Sequence, residues 1–308
     1  MGGCEKFKIH IRMKQNTLTI GIPAFNEEKN ISYLIQDILH QNSSSYTLTN
    51  IIVASDGSSD ETIAILHKAK NKKIIVIDGK TRLGQAHRQN QIINRASSDI
   101  LILLNADIRI SDINYINKLI FPILHNHADL VSSYPKPAQV TNLFSNVLLA
   151  GTQIQERIYS RLYNGDNIYT CHGRARAFSK RLYKALRFQQ SVGEDAYSYL
   201  YCKQHLYKYV NQQTAKVEYK LPANIKDHLK QSARFVQNTA ILKKYFSASI
   251  LDKEFHIPKH ILVEQTIRGF VRNPVKTILY LITTILARIY SLSSRGESDT
   301  WSQSLSSK

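Results

Sequence analysis

Short apolar runs alternate with helix-period stretches along the chain as far as Pro137. Leu18 to Ile22, Ile51-Ile52-Val53, Ile74 to Ile77 and Ile100 to Leu104 are nearly unbroken apolar segments, the pattern of strands buried on both faces. Between them, Ile31, Leu34, Ile35, Ile38 and Leu39 recur at helical spacing. Ile63, Leu66 and Ala69 mark a second helix, with Ser58 or Ser59 as its N-cap, and Gly84 to Arg95 a third with Ile92 and Ile93 inward. Asp129 to Ser133 predicts a fifth strand. This alternation predicts an α/β fold: a Rossmann-like, mostly parallel sheet with helices on both faces.

Beyond Pro137 the alternation weakens. Helices are predicted over 141–163, 194–204, 225–246 and 275–292, with a mixed stretch from Ile168 to Phe178. The organisation that follows is one domain over 15–222, divided near 135, then a helical extension over 223–292 and a serine-rich tail, 293–308, expected to be disordered. In helix 275–292, Val275, Ile278, Leu279, Ile282, Ile285, Leu286 and Ile289 share one face, and Lys276, Thr277, Thr283, Thr284, Arg288 and Ser291 the other. Two placements suit such a helix. It packs its apolar face on the domain, or it lies in a membrane surface with Arg268, Arg272 and Lys276 near anionic lipid.

The bulk numbers narrow the classes. Hydrophobic residues make up 43% of 308, enough for a substantial core, and the net charge of +18 favours anionic partners: nucleotides, nucleic acid or acidic headgroups. Cys4, Cys171 and Cys202 show no paired or metal-ligand spacing, so reduced thiols in the cytoplasm are the simpler reading. Residues 1–14 have no apolar core of a secretory signal.

Three acidic segments follow strands: Pro23-Ala24-Phe25-Asn26-Glu27-Glu28, Asp56-Gly57-Ser58-Ser59-Asp60 and Asn105-Ala106-Asp107. Ligands of open α/β sheets bind beyond the carboxyl ends of strands, so these segments are expected to share one polar site. Asp56 can accept a hydrogen bond from uracil N3–H or guanine N1–H, whereas cytosine offers an acceptor there. Asn105 and Asp107 project to the same side of a strand, and their oxygens suit Mg²⁺ or Mn²⁺. Asp195, in Gly193-Glu194-Asp195 at a helix start, can take a proton from a hydroxyl. Each segment read singly is also explained by turns and helix capping.

In their order, these segments resemble family 2 glycosyltransferases, inverting enzymes of the GT-A fold. Ile22 to Glu28 resembles the family's opening nucleotide-binding segment. Ser55 to Thr62 resembles its second, with Ser55 in place of the usual first aspartate. Gly84 through Asn90 resembles the stretch before the metal strand. Asn105-Ala106-Asp107 stands where the family carries Asp-x-Asp, and Glu194-Asp195 matches its acceptor-site pair. Gln231-Ser232-Ala233-Arg234-Phe235 resembles the Gln-x-x-Arg-Trp of processive members.

The resemblance implies transfer of a sugar from a UDP- or GDP-sugar to an acceptor hydroxyl, in polysaccharide, glycolipid or other glycoconjugate synthesis. The implied donor-binding residues are Pro23, Ala24, Phe25, Asn26, Glu28, Asp56, Gly84, Asn90, Asn105, Ala106 and Asp107. Asp107 would hold Mg²⁺ or Mn²⁺, with His228 as a further candidate ligand, and Asp195 would be the base. Glu194, His172, Gln231 and Arg234 are acceptor or phosphate candidates, and Arg82 and Arg88 candidate phosphate contacts. The implied partners are a nucleotide sugar and a glycan or lipid-linked acceptor, met in the cytoplasm or peripherally on the cytoplasmic face of a membrane. Three alternatives are a basic nucleic-acid-binding protein using the tyrosines between Tyr183 and Tyr219, a non-catalytic GT-A relative permitted by Asn105, and a sugar nucleotidyltransferase. The last wants a basic glycine-rich loop where Pro23 to Glu28 stands, and nucleic acid leaves the acidic strand ends unexplained.

Overall fold

The computed structural model describes residues 15–140, 142–190 and 192–293. The polar start, with Cys4, and the serine-rich tail from 294 lie outside the described residues. Strands β1 (Asn16–Ala24), β2 (Tyr46–Asp56), β3 (Ile74–Gly79) and β4 (Ile100–Leu104) run parallel in the spatial order β3-β2-β1-β4. Helices α1 (Ile31–Leu39), α2 (Thr62–Lys68) and α3 (Gln85–Arg95) connect them. The period of two in β4 explains its continuous hydrophobicity. Leu101 and Leu103 join Ile52 and Ile92 in one core, while Ile100, Ile102 and Leu104 join Ile20, Ile31 and Leu34 in the other. Each such fully buried side chain contributes roughly 1.5–3 kcal/mol.

The second half adds antiparallel pairings to this parallel sheet. Strand β7 (Ala175–Ser179) is inserted antiparallel between β4 and β6 (Leu130–Pro137), so the expected fifth strand is not a neighbour of the fourth. Beyond β6 come β8 (Tyr209–Tyr219), parallel to it, and the two-residue β5 (Ile108–Arg109), antiparallel to β8. The expected cap of α2 also changes. Asp60 Oδ1 accepts from Thr62 N at 3.0 Å, while Ser58 and Ser59 bond to Asn26.

The remaining helices are α4 (Tyr115–Leu124), α5 (Leu143–Arg161), α6 (Lys180–Ala185), α7 (Glu194–Gln204), α8 (Ile225–Leu242), α9 (Ala248–Phe255), α10 (Lys259–Arg272) and α11 (Pro274–Ser293). Helix α11 packs on α5, α8 and α10. Of the two placements considered, it does not pack its apolar face on the domain: Thr277, Thr283, Ala287 and Ser291 are buried, while most of its large aliphatic side chains are exposed.

Candidate active site

The loops after β1 and β2 are stitched together. Asn26 N donates to Ser58 Oγ at 3.1 Å, and Asn26 Oδ1 accepts from Ser59 N at 2.8 Å. Glu28 N donates to Asp60 Oδ2 at 3.1 Å, and Glu61 N donates back to Glu28 Oε2 at 3.2 Å. Ser55, fully buried, accepts from Ser58 N at 3.2 Å, so the hydroxyl that stands in place of a family aspartate closes this turn. Gly57 sits at φ +76°, a left-handed conformation costly for other residues. The Arg82 guanidinium lies 3.9 Å from the centroid of the Phe25 ring, forming a flat platform beside these loops.

Asp56 is committed more deeply than the sequence suggests. Its carboxylate accepts from Leu83 N at 2.8 Å, from Gly84 N at 3.1 Å and from Arg88 Nε at 2.9 Å. Arg88 also donates to Gln91 Oε1 at 3.0 Å and to the Thr81 carbonyl, and it is 2% exposed. This corrects two expectations. Arg88 is a structural cation rather than a phosphate contact, and most of the Asp56 carboxylate fixes the turn into α3. Oδ2 keeps one partner, Gly84 N at 3.1 Å.

Helix α3 ties this half to the rest. Gln85 Nε2 donates to Asn105 Oδ1 at 3.2 Å, and Gln89 Oε1 accepts from Arg176 Nη2 at 3.3 Å. Asn90, expected at the donor, is elsewhere: its amide donates to the Phe188 carbonyl at 2.8 Å and accepts from Phe188 N at 2.9 Å. It braces the segment that leads to α7.

Asp107 lies between β4 and β5. Asn105 N donates to the Arg174 carbonyl at 2.9 Å, which sets this corner beside the turn before β7 that holds His172 and Gly173. Asp195 comes to the same turn, where a methyl on Gly173 would sit 3.4 Å from Asp195 Oδ2. Asp195 Oδ1 accepts from Ala196 N at 2.8 Å, and its carbonyl accepts from Ser198 Oγ at 2.9 Å. Burial pushes the His172 pKa down to about 3, with the Arg174 charge adding to the effect, so the imidazole is neutral near pH 7.

Arg176 was missed by sequence reasoning. It is fully buried, and Nη1 donates to the Glu194 carbonyl at 2.6 Å and to Ser198 Oγ at 2.8 Å. It thereby orients the first turn of α7. The available signal was a cation flanked by alanines in the buried run Ala175-Arg176-Ala177-Phe178. The Arg234 pKa is lowered by burial, against the opposing pull of the Glu194 and Asp107 carboxylates. Its Nε is buried without a hydrogen-bond partner among the described residues. Gly193 N donates to Asn238 Oδ1 at 2.5 Å, pinning the turn before Asp195 to α8. The structure therefore gathers Asp107, His172, Glu194, Asp195 and Arg234, and connects them through Asn105, Gln85 and Gly84 to Asp56. Gln231 is exposed on α8.

Among the described residues no group of three or more His, Cys, Asp or Glu side chains converges as an ion cage. His228, a candidate ligand, meets Phe144 edge-on at a centroid distance of 6.1 Å. The Asn105 amide oxygen already accepts from Gln85. The Asp107 carboxylate, with the Arg234 charge in reach and its Nε unbonded among the described residues, fits a divalent ion that arrives with a diphosphate, the usual habit of Mg²⁺. Of the tyrosines weighed as a nucleic-acid platform, Tyr183, Tyr197, Tyr199 and Tyr209 are buried in one core cluster, with Tyr201 and Tyr207 packed against it.

Burial pushes the Glu194 carboxyl from its ordinary 4.5 up to about 7, with Arg176 and Arg234 opposing and Asp195 assisting. Between those two values the folded chain holds a proton that the unfolded chain has lost. Stability is therefore greatest below about 4.5 and declines as pH rises through 7. Glu194→Gln is expected to remove this decline, which amounts to as much as about 3 kcal/mol. Urea unfolding of parent and variant at acidic and alkaline pH checks it; parallel pH dependences would refute it.

The family model described as Glycosyl transferase family 2 matches residues 19–187. Poly-beta-1,6-N-acetyl-D-glucosamine synthase of Staphylococcus aureus (strain COL) is 33% identical over 91 residues, 29% of this chain and 21% of that protein. The 4,4'-diaponeurosporenoate glycosyltransferase of S. aureus (strain bovine RF122 / ET3-1) is 32% identical over 101 residues, 32% of this chain and 26% of that one. These matches thus span only a minor part of the relatives' length. Among solved structures, the mannosyltransferase PcManGT from Pyrobaculum calidifontis, in complex with GDP-Man and Mn²⁺, superposes with TM-score 0.60 at 14% identity, covering 92% of this chain and 76% of that one. S. aureus TarS 1-349 in complex with UDP gives 0.54 at 17% identity, covering 83% and 72%. At these identities the likeness is one of fold, GT-A-like.

Proposed function

Because the chain belongs to glycosyl transferase family 2, we propose that it is an inverting glycosyltransferase that takes a nucleoside-diphosphate sugar, with UDP or GDP favoured, as donor. The observation that carries this reading is Arg234, whose Nε is buried without a hydrogen-bond partner among the described residues and whose charge interacts with the carboxylates of both Asp107 and Glu194. A cation in that position suits a departing diphosphate. The solved relatives' complexes with UDP, or with GDP-Man and Mn²⁺, support the donor class.

The Phe25–Arg82 platform takes the flat face of the base, and Oδ2 of Asp56 retains capacity for a uracil or guanine N–H. Asp107 would hold Mg²⁺ or Mn²⁺, and the ion would supply positive charge against the leaving diphosphate. Asp195 takes the proton of the acceptor hydroxyl while that oxygen attacks the anomeric carbon from the face opposite the leaving group. The carbon–oxygen bond to the diphosphate breaks with inversion, and Arg234 donates to the phosphate oxygens. The acceptor is a glycan or lipid-linked hydroxyl in glycoconjugate synthesis. Buried free thiols at Cys171 and Cys202 suit the cytoplasm, and helix 275–292 supports peripheral placement on a membrane.

Thermal shift with UDP, GDP and CDP, with and without Mn²⁺, tests the reading. A metal-dependent rise is expected with UDP or GDP, and Asp107→Ala should abolish the metal dependence. No rise with any nucleotide would overturn it. Binding without turnover would favour the non-catalytic alternative that Asn105 permits.

A further inference from the structure

We propose that α10 and α11 together form a docking face for an anionic lipid bilayer, on which α11 lies in the plane of the surface. This deepens the reading of helix 275–292 and extends it to a second helix. Soluble packing turns large aliphatic side chains inward and small polar ones outward; here the order is reversed. Thr277, Thr283, Ala287 and Ser291 of α11 and Gln265 and Gly269 of α10 are buried. Meanwhile Val271 is 81% exposed, Val275 64%, Ile285 60% and Ile289 58%. Val271 and Val275 flank the junction at Asn273-Pro274, so the apolar surface is shared by both helices. Such a surface marks an interaction site.

Charge selects the partner. Arg268, Arg272 and Arg288 are exposed on the same two helices. Arg157 of α5 lies close enough to Arg272 and Arg268 that their charges, after burial, lower its pKa further. Glu264 answers Arg161 at 2.5 Å and Arg268 at 2.9 Å, and Arg157 Nε is buried without a partner among the described residues. Excess cations beside an aliphatic face fit lipid phosphates. A second copy of the chain fits poorly, because a two-fold contact would bring two faces of the same positive charge together.

The packing also decides between lying on a bilayer and crossing it. Twenty helical residues reach roughly 30 Å, so length allows either. Yet α11 is fastened along its length to α5 and α8. A methyl group on Gly151 would fall 2.0 Å from the Tyr280 ring, and one on Gly269 2.6 Å from Ile154, so these helices interlock closely. Crossing would require α11 to leave that seat. Helix α8 also carries Arg234, which sets the lipid face one helix away from the candidate site.

Flotation of the full chain with phosphatidylcholine vesicles, alone or with one quarter phosphatidylglycerol, tests this without donor or acceptor. Lipid binding and the transferase reading can therefore fail separately. Binding is expected with the anionic vesicles, weakened in molar salt and reversed by alkaline carbonate. Ile282→Glu with Ile285→Glu should reduce it by about tenfold or more, with the urea midpoint kept. Arg272→Glu with Lys276→Glu, which leaves the apolar face intact, should erase the preference for anionic lipid. The proposal is overturned by any of four outcomes: no flotation with either vesicle, equal flotation of the Ile variant, retention through carbonate, or a soluble dimer that the Ile variant dissociates.

Discussion

Asp195→Asn is expected to lower turnover by about 10³-fold while leaving nucleotide binding near the parental level. The substitution keeps the side chain's shape, and an amide oxygen can still accept from Ala196 N, as the carboxylate does at 2.8 Å. What it removes is the proton acceptor. Its surroundings are built to hold that group still. The carbonyl of Asp195 is held by Ser198, the adjacent Glu194 carbonyl by Arg176, and Gly193 by Asn238. Steady-state transfer and a UDP thermal shift on the same preparation check both halves. Transfer at near-parental rate would remove Asp195 from the role of base. Loss of nucleotide binding in parallel would show that the effect runs through the fold.

The second large effect concerns stability. Asp56→Ala is expected to cost about 3–5 kcal/mol, because it leaves a buried guanidinium without its counter-ion. The Arg88 and Asp56 side chains are 3% and 4% exposed, so water cannot replace the lost partner. Two backbone donors, Leu83 N and Gly84 N, lose their acceptor as well. Arg88→Met alone should also destabilise, and the double variant should cost less than the sum by about 1 kcal/mol or more. Urea denaturation of the four proteins completes the cycle. Additive losses would show that the pair is not coupled. The loop of residues 80–84 carries Arg82, which lies over Phe25, so the same change is expected to weaken nucleotide binding.

The first half of the fold was legible because its signals are local. Residues 18–22, 51–53, 74–77 and 100–104 are apolar on both faces and lie within β1 to β4, and helix-period residues between them form α1 to α3. The start of α7 at Glu194 was equally readable. Strand β8, Tyr-Val-Asn-Gln-Gln-Thr-Ala-Lys-Val-Glu-Tyr, is only partly buried, so its pattern gives no clear period. Helix α4 carries Pro122 in its interior, which disguises it as a break. The insertion of β7 between β4 and β6 rests on pairings such as Leu101 with Phe178, which no local pattern announces.

In the candidate site, the sequence supplied the chemical groups but not their partners. Asn90 looked like a donor contact, yet it bonds to Phe188, 98 residues away. Arg88 looked like a phosphate contact, yet it neutralises Asp56. Arg176 looked like one of 41 basic residues, yet it is fully buried and orients α7. Each difference arises because a polar side chain's role is set by whichever buried donor or acceptor it must satisfy, and that partner lies far along the chain.

The amino-acid sequence by itself determined the α/β class, the parallel first half of the sheet, the family resemblance and the amphipathic character of the last helix. These follow from periodicity and residue type, which are properties of neighbours in the chain. Only the tertiary structure decided which acidic and basic groups neutralise each other, which strand separates β4 from β6, and which face of α11 is turned inward. Those outcomes depend on closing long loops and on satisfying every buried polar group at once, and the energy of doing so belongs to the assembled molecule rather than to any one segment.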